Sequence, residues 1–187
     1  MSTIDTAALT GTYTLDPNHS RVGFVARHAM VTKVRGSFNE LDGKGYFDAD
    51  DPAKSHLELT IKAHSVDTRN ADRDAHLRSN DFFDMDTYPE IRYVSTAVER
   101  VSDETYRVTG DLTIKGVTKP VTIDFEHTGT AIDPWGNQRI GLEGSVVVNR
   151  KDWGVNWNAP LEAGGVLVSE NVTLEFEVAG VKAKDES

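Results

Sequence analysis

The stretch TYRVTGDLTIKGVTKPVTIDFE, from Thr105 to Glu126, decides the fold because apolar and polar residues alternate on both sides of one short break, Gly116–Pro120. The apolar positions before and after the break are Tyr106, Val108, Leu112 and Ile114, then Val121, Ile123 and Phe125. Successive side chains of a strand point to opposite faces of its sheet. This period of two therefore predicts two strands, each with one apolar and one polar face.

The same alternation recurs along most of the chain and predicts nine strands. They are Gly11–Leu15, Ser20–Ala29, Val34–Phe47, Ser55–Ser65, Glu90–Val101, Thr105–Lys115, Val121–Ile132, Gln138–Asn149 and Asn171–Val178. In the third strand, Val34–Phe47, the apolar residues change from one parity to the other near Asn39–Leu41, which predicts a bulge. The fifth is apolar on both faces, which suggests that its outer face is covered.

One helix interrupts the predicted strands. Asn70 is suited to cap it, Asp72 and Asp74 lie in its first turn, and Arg78 lies near its end. This order of charges complements the helix dipole. About eight antiparallel strands joined by short turns close into a barrel and so remove the sheet edges. The predicted fold class is therefore all-β, an eight-stranded antiparallel β-barrel with one short helix.

Composition narrows the function classes. The chain has 187 residues, of which 38% are hydrophobic and 27% charged, as in a single globular domain. A net charge of -10 opposes binding to nucleic acid or to an anionic membrane face. The chain has no cysteine, which excludes disulfides and thiolate metal sites. The predicted organisation is a flexible segment (1–10), a barrel (11–180) and a disordered tail (181–187).

The first residues and the hydropathy of the chain predict its cellular location. The first residues, MSTIDTAALT, lack the basic start and apolar run of a secretory signal. No stretch approaches the roughly 18 apolar residues of a membrane span. We therefore expect a cytoplasmic protein without stable membrane insertion.

Two histidines, His28 and His127, fall on the apolar parity of their strands and are predicted to face the barrel interior, where they could meet. A catalytic zinc site normally needs a third protein ligand, and no inward-facing partner is evident. We therefore predict no metal and no cofactor. The two rings would instead bond to neighbours or to the polar end of a ligand. The loop Arg150–Gly165, with Trp153 and Trp157, is interpreted either as a lid over one barrel end or as a packed plug.

Several segments together resemble the YceI family of lipid-binding proteins, from about Gly11 to Gly180. They are YTLDPNHS (Tyr13–Ser20), RDAHLRSNDFFD (Arg73–Asp84), GDLTIKGVTKPV (Gly110–Val121) and RKDWG (Arg150–Gly154). The resemblance implies a lipocalin-like barrel with an internal apolar tunnel that holds a polyisoprenoid, such as a quinone tail, or another long-chain amphiphile. Many such proteins are periplasmic, and some pair in crystals, so the resemblance also implies a homodimer.

The leading hypothesis is noncatalytic binding, carriage or sequestration of a long-chain lipid. The predicted ligand-binding residues are the inward-facing ones: Phe24, His28, Leu57, Leu59, Ile61, Leu112, Ile114, Ile123, Phe125, His127, Val146, Leu174 and Phe176. Burying one methylene contributes about 0.8 kcal/mol, so one isoprene unit contributes roughly 3–4 kcal/mol. Affinity should therefore depend on the length of buried chain.

Two other function classes stay open. One is an enzyme, an isomerase or hydrolase acting on a bound apolar substrate with His28 or His127 as the base. The other is a binding module whose barrel is filled by its own side chains and whose partner docks on the outer face of Glu90–Val101. Retention of a lipid by the purified protein would distinguish the leading hypothesis from the last.

Overall fold

The computed structural model describes residues 9–159, 161, 165 and 167–184. The strands, numbered in chain order, are β1 Gly11–Leu15, β2 Arg21–His28, β3 Thr32–Phe38, β4 Leu41–Phe47, β5 His56–Lys62, β6 Val66–Asp67, β7 Glu90–Arg100, β8 Thr105–Ile114, β9 Val117–Ile132, β10 Gln138–Asn149 and β11 Asn171–Lys182. The helix α1 spans Ala71–Arg78, and short 3-10 turns occupy Pro17–His19, Pro52–Lys54, Ala63–Ser65 and Arg150–Trp153.

Eight strands form a closed ring in the order β1-β4-β5-β7-β8-β9-β10-β11, and the pairing of β1 with β11 closes it. Every pairing in the ring is antiparallel. Closure pairs the strands that would otherwise be edges, so the backbone groups of the ring bond to one another. The predicted eight-stranded antiparallel β-barrel is confirmed.

The other three strands, β2, β3 and β6, extend one side of the wall beyond the ring. One edge of β11 pairs with β2 over Thr173–Glu177 and with β1 over Gly180–Lys182. Between β1 and β2 the chain turns at Pro17–His19, where the carboxylate of Asp16 accepts a hydrogen bond from the backbone N–H of Asn18. β1 and β2 are therefore two halves of one interrupted wall strand.

The predicted strand Val34–Phe47 is also divided, into β3 and β4. The parity change that predicted a bulge near Asn39–Leu41 marks a complete break, where the N–H of Asn39 bonds to the carbonyl of Ser65. In β7 the register shifts between Ser95 and Ala97. This bulge moves Val98 onto the inner face, so it explains the two-faced apolar pattern of Glu90–Val101 without a covered outer surface.

Two predicted strand boundaries are wrong by four residues each. The break between β8 and β9 is a two-residue turn, Lys115–Gly116, whose φ angles of 52° and 75° suit a tight hairpin turn of the primed type. Pro120 lies within β9, opposite Asp111. The last strand runs to Lys182, so residues 181–182 of the predicted tail are paired in the barrel. Residues 1–8 and 185–187 lie outside the described residues.

Side chains fill the end of the barrel that α1 covers. The ring of Phe38 packs against Phe24 and Phe83, with centroids 5.8 and 5.7 Å apart. Trp153 is 3% exposed and its indole N–H donates to the carbonyl of Leu112 over 2.8 Å. Trp153 is therefore part of a packed plug; residues 160, 162–164 and 166 of the same loop lie outside the described residues.

The guanidinium of Arg150 holds this loop in place. It donates to the carbonyls of Ser169, Val155 and Val168 over 2.9, 2.7 and 3.3 Å. Arg150 is 7% exposed, and its burial lowers the pKa of the guanidinium. Three carbonyl acceptors satisfy this buried cation and connect the start of the loop to residues 155, 168 and 169.

Candidate functional site

A cavity occupies the opposite end of the barrel, where β4 ends and β8 begins. Its volume is about 130 Å³, and each of the eight ring strands contributes to its wall. The apolar wall side chains include Leu15, Leu57, Leu59, Val108, Phe125, Leu142 and Val178. A dry apolar cavity of about 150 Å³ holds a benzene molecule, so this one holds roughly one isoprene unit without rearrangement.

Small residues on the inner face create this space. Gly43 and Gly180 both border the cavity. A Cβ atom on Gly43 would lie 2.9 Å from a methyl of Leu59 and 3.1 Å from the Cβ of Leu15, so a larger residue here would require neighbouring side chains to shift. A Cβ atom on Gly180 would lie 3.4 Å from both Ile140 and Tyr13, which is ordinary contact. A longer side chain at Gly180 would therefore project into the cavity.

Two aromatic rings stand at the end of the barrel nearest the cavity. Phe47 is the last residue of β4, and Tyr106 lies near the start of β8. Both are half-buried and both border the cavity. The carbonyl of Leu9, which also borders the cavity, accepts a hydrogen bond of 2.7 Å from the hydroxyl of Tyr13. Leu9 thus covers part of this end.

Two polar side chains on the wall, His127 and Tyr13, have hydrogen-bond partners. The Nε2 of His127 lies 2.8 Å from the hydroxyl of Thr130. The hydroxyl of Tyr13 accepts a bond from the side-chain amide of Gln138 over 3.2 Å, and burial raises the pKa of this hydroxyl. The wall is mostly apolar. Tyr13 and Tyr106 were missed as site residues, although both occupy inward parity positions.

Four of the predicted ligand-binding residues border the cavity: Leu57, Leu59, Phe125 and His127. Five are buried in the core around it: Phe24, Ile61, Leu112, Ile123 and Phe176. Three are half-buried and pack against that core: Ile114, Val146 and Leu174. A role in ligand binding for these twelve residues stays a prediction.

The predicted interior position of His28 is wrong, whereas a role in ligand binding stays a prediction. Its side chain is exposed and borders a separate cavity beside β3, at the barrel end opposite His127. His28 is the last residue of β2, and the next two residues, Ala29 and Met30, turn the chain with positive φ. The strand therefore passes the rim of the barrel before it reaches His28, so the two histidines do not meet.

Across 9–159, 161, 165 and 167–184, no cluster of three or more His, Cys, Asp or Glu side chains is placed to hold an ion. The described part of the chain also contains no helix long and apolar enough to cross a membrane.

Comparison with known proteins gives the family. The profile of the YceI-like domain matches residues 13–180. The chain belongs to the YceI family. A UPF0312 protein of Photorhabdus laumondii is 39% identical over 180 residues, which cover 95% of this chain and 90% of that protein.

Solved structures of YceI-like barrels share the fold. The crystal structure of Burkholderia cenocepacia BcnA superposes with a TM-score of 0.78 at 24% identity, and the match covers 88% of this chain and 98% of BcnA. A polyisoprenoid binding domain from Saccharophagus degradans superposes with a TM-score of 0.69 at 17% identity, covering 91% of this chain and 98% of that domain. At these identities the similarity shows the fold alone.

The YceI-like segment RDAHLR holds the helix to the barrel. Asp74 is 8% exposed, and one carboxylate oxygen accepts bonds from the N–H and the hydroxyl of Thr68 over 2.8 and 2.6 Å. Arg73 donates to the hydroxyl and the carbonyl of Thr68. Arg78 donates to the carbonyl of His64 over 2.9 Å. These contacts give the segment an architectural role in this YceI-family protein.

Proposed function

We propose that this YceI-family protein binds the hydrocarbon part of a long-chain isoprenoid lipid, such as a polyisoprenoid or an isoprenoid quinone, and carries or sequesters it. The observation that carries the proposal is the apolar cavity to which all eight ring strands contribute. A closed barrel with such a cavity is suited to one small or slender apolar ligand. The fold shared with the polyisoprenoid binding domain of Saccharophagus degradans supports the ligand class.

The energetics favour a chain longer than the cavity holds at rest. A single isoprene unit contributes roughly 3–4 kcal/mol on burial. Association costs about 4–15 kcal/mol of lost freedom, so several units are needed for stable binding. Entry of further units requires the rings of Phe47 and Tyr106 to move apart, because both border the cavity at the end of the barrel.

Binding without chemical change is the second part of the proposal. His127 is the inward-facing histidine that the enzyme hypothesis needs as a base, and the partner of its Nε2 is the hydroxyl of Thr130. A catalytic base is usually oriented by a third group, often a carboxylate, in line with a nucleophile. In the part of the chain that the structure describes, the side-chain partner of His127 is this hydroxyl and not a carboxylate. This supports a role for the ring in binding and not as a base.

The experiment is organic extraction of protein purified from a lipid-containing host, followed by mass spectrometry. We expect one long-chain lipid per barrel, with its mass unchanged after prolonged incubation. Titration with farnesol, geranylgeraniol and solanesol should show affinity rising with chain length. Protein that is repeatedly empty and takes up none of the three alcohols would overturn the proposal, and a lipid converted to a new species would favour the enzyme hypothesis.

A further inference from the structure

A second cavity lies at the other end of the barrel, between β3 and the start of α1. Its volume is about 420 Å³. Five basic residues border it, and we call it the basic cleft: His28, Lys33, Arg35, Arg69 and Arg73. Of the described residues that border the cleft, none is Asp or Glu.

This concentration of positive charge is unexpected in so acidic a chain. The protein has 30 Asp and Glu residues against 20 Lys and Arg. On other faces arginines pair with carboxylates, as in Arg107 with Asp124 at 2.9 Å. In contrast, the side chains of Lys33 and Arg35 make no hydrogen bond or ion pair with any residue that the structure describes. Two exposed cations beside the cleft are thus available to an anion.

Arg73 is held in position on the opposite side of the cleft. Its Nε donates to the hydroxyl of Thr68 and one terminal nitrogen donates to the carbonyl of the same residue, both over 2.7 Å. Thr68 is in turn fixed by the buried carboxylate of Asp74. The guanidinium is therefore pre-organised, and its remaining terminal N–H groups can donate to phosphate oxygens.

The backbone beside the cleft contributes further polar groups. β6 pairs with β3 only at Ser37 and Phe38. The same edge of β3 has no ladder partner among the described residues over Thr32–Gly36. Backbone N–H groups at a strand edge are suitable donors to an anion. Asp67 lies nearby, but it accepts bonds from the backbone N–H of Arg69 and from Asn39.

We propose that the basic cleft binds a phosphate group, carried either by a soluble phosphorylated compound or by the head group of an anionic lipid. The occupant is an oxyanion because four permanently charged side chains and two threonines, Thr32 and Thr68, border the cleft. The site is separate from the lipid cavity, since no described residue borders both. Phosphate binding would therefore add a second ligand to the protein.

The experiment compares the full chain with two double variants. Lys33→Gln with Arg35→Gln removes two cleft charges, and Lys54→Gln with Lys119→Gln removes two exposed charges outside the cleft. Binding of inorganic pyrophosphate is measured by calorimetry. Binding to vesicles of phosphatidylglycerol, against phosphatidylcholine, is measured by flotation. We expect the cleft variant to bind at least about tenfold more weakly and the control variant to stay within about twofold of the original chain.

The two arms distinguish the sources of phosphate. Pyrophosphate binding without vesicle binding assigns the cleft to soluble compounds, whereas selective binding to phosphatidylglycerol assigns it to a lipid surface. Failure of both arms, or equal weakening in the two double variants, overturns the proposal. Uptake of solanesol should be unchanged in the cleft variant, so a failure here is distinguishable from a failure of the proposed lipid binding.

Discussion

Phe47 and Tyr106 meet edge to face inside the barrel, with ring centroids 5.3 Å apart and ring planes at 90°. Their strands, β4 and β8, are separated in the ring by β5 and β7, so the contact spans the interior and does not join neighbouring strands. An aromatic pair contributes about 0.5–1.5 kcal/mol beyond its buried area. One isoprene unit contributes more than this, so an entering chain can displace the contact.

Phe47→Ala should accelerate release of a bound chain, because it removes one of the two rings at the end of the barrel. The free energy of unfolding should fall by about 1–2 kcal/mol, since the side chain is only half-buried. Transfer of a fluorescent prenyl probe from protein to vesicles measures the release rate. Trp135→Ala is the matched control, because Trp135 is 75% exposed and lies outside the cavity wall. Equal release rates in both variants would contradict the prediction.

Gly180→Leu should fill the cavity and weaken chain binding by at least about tenfold, because the new side chain replaces roughly one isoprene unit of space. The fold should tolerate it, since the Cβ atom meets its neighbours at 3.4 Å. Solanesol titration gives the affinity and thermal unfolding gives the stability. Gly129→Leu is the control, because its Cβ would have no described atom within 4 Å. Undiminished affinity in a folded Gly180→Leu protein would mean that the chain binds elsewhere.

Tyr93→Phe should lower the free energy of unfolding by about 1 kcal/mol at neutral pH. The tyrosine is 1% exposed, and its hydroxyl lies 2.9 Å from the carbonyl of Val121 and 3.3 Å from that of Val108. The variant removes the hydroxyl and keeps the ring, which lies against Gly110. Urea unfolding at pH 7 measures the difference. An unchanged urea midpoint would show that these hydrogen bonds make no net contribution to the free energy of unfolding.

The same residue predicts a loss of stability at alkaline pH. Burial raises the pKa of the Tyr93 hydroxyl above its ordinary value of 10.0. The unfolded chain then loses this proton at a lower pH than the folded chain does, so unfolding becomes more favourable as pH rises above 10. Tyr93→Phe should show a smaller decline of stability in that range. Parallel curves for the two proteins would contradict this assignment.

Arg139→Gln should remove an acid-sensitive part of the stability. The guanidinium bonds to Asp16 over 2.6 Å and to Asp133 over 2.8 Å, and it lowers the pKa of Asp133 to about 2. A carboxyl group whose pKa is lowered on folding stabilises the folded state at pH values above its ordinary pKa of 3.8. This stabilisation is lost as the pH falls toward 2. The variant should therefore be less stable than the original chain at pH 7.

Urea unfolding of both proteins between neutral and acid pH tests this relation. The difference in the free energy of unfolding between the original chain and Arg139→Gln should become smaller as the pH falls toward the lowered pKa of Asp133. Arg92→Gln, which removes a surface pair with Glu58, is the matched control. A difference that stays constant over the whole range would assign the effect of Arg139 to packing alone.

Much of the fold was predictable because strand parity is a local property. Val108, Leu112, Ile123 and Phe125 all proved to be buried on the inner face, as their alternation indicates. Strand parity gave a wrong prediction where the pairing with a neighbouring strand shifted the register. The bulge in β7, between Ser95 and Ala97, produced the two-faced pattern that suggested a covered outer surface.

The site was predictable only in part. Parity indicates that a side chain faces inward, but it does not indicate whether empty space or another side chain meets it there. Leu59 borders the cavity, whereas Ile61, two residues further along the same strand, is packed in the core. The basic cleft was predictable only in part. Arg69 and Arg73 are close in sequence and suggest a basic face, but Lys33 and Arg35 join them only through the pairing of β3 with β6.

The amino-acid sequence by itself determined the antiparallel strands, the inner face of each and the single capped helix, because these depend on the period of the pattern and on neighbouring residues. Tertiary structure alone decided where the interior stays empty, that His28 lies outside it, and which cations share a cleft. Those outcomes depend on contacts between distant segments, and close packing leaves space only where small residues such as Gly180 meet across the barrel.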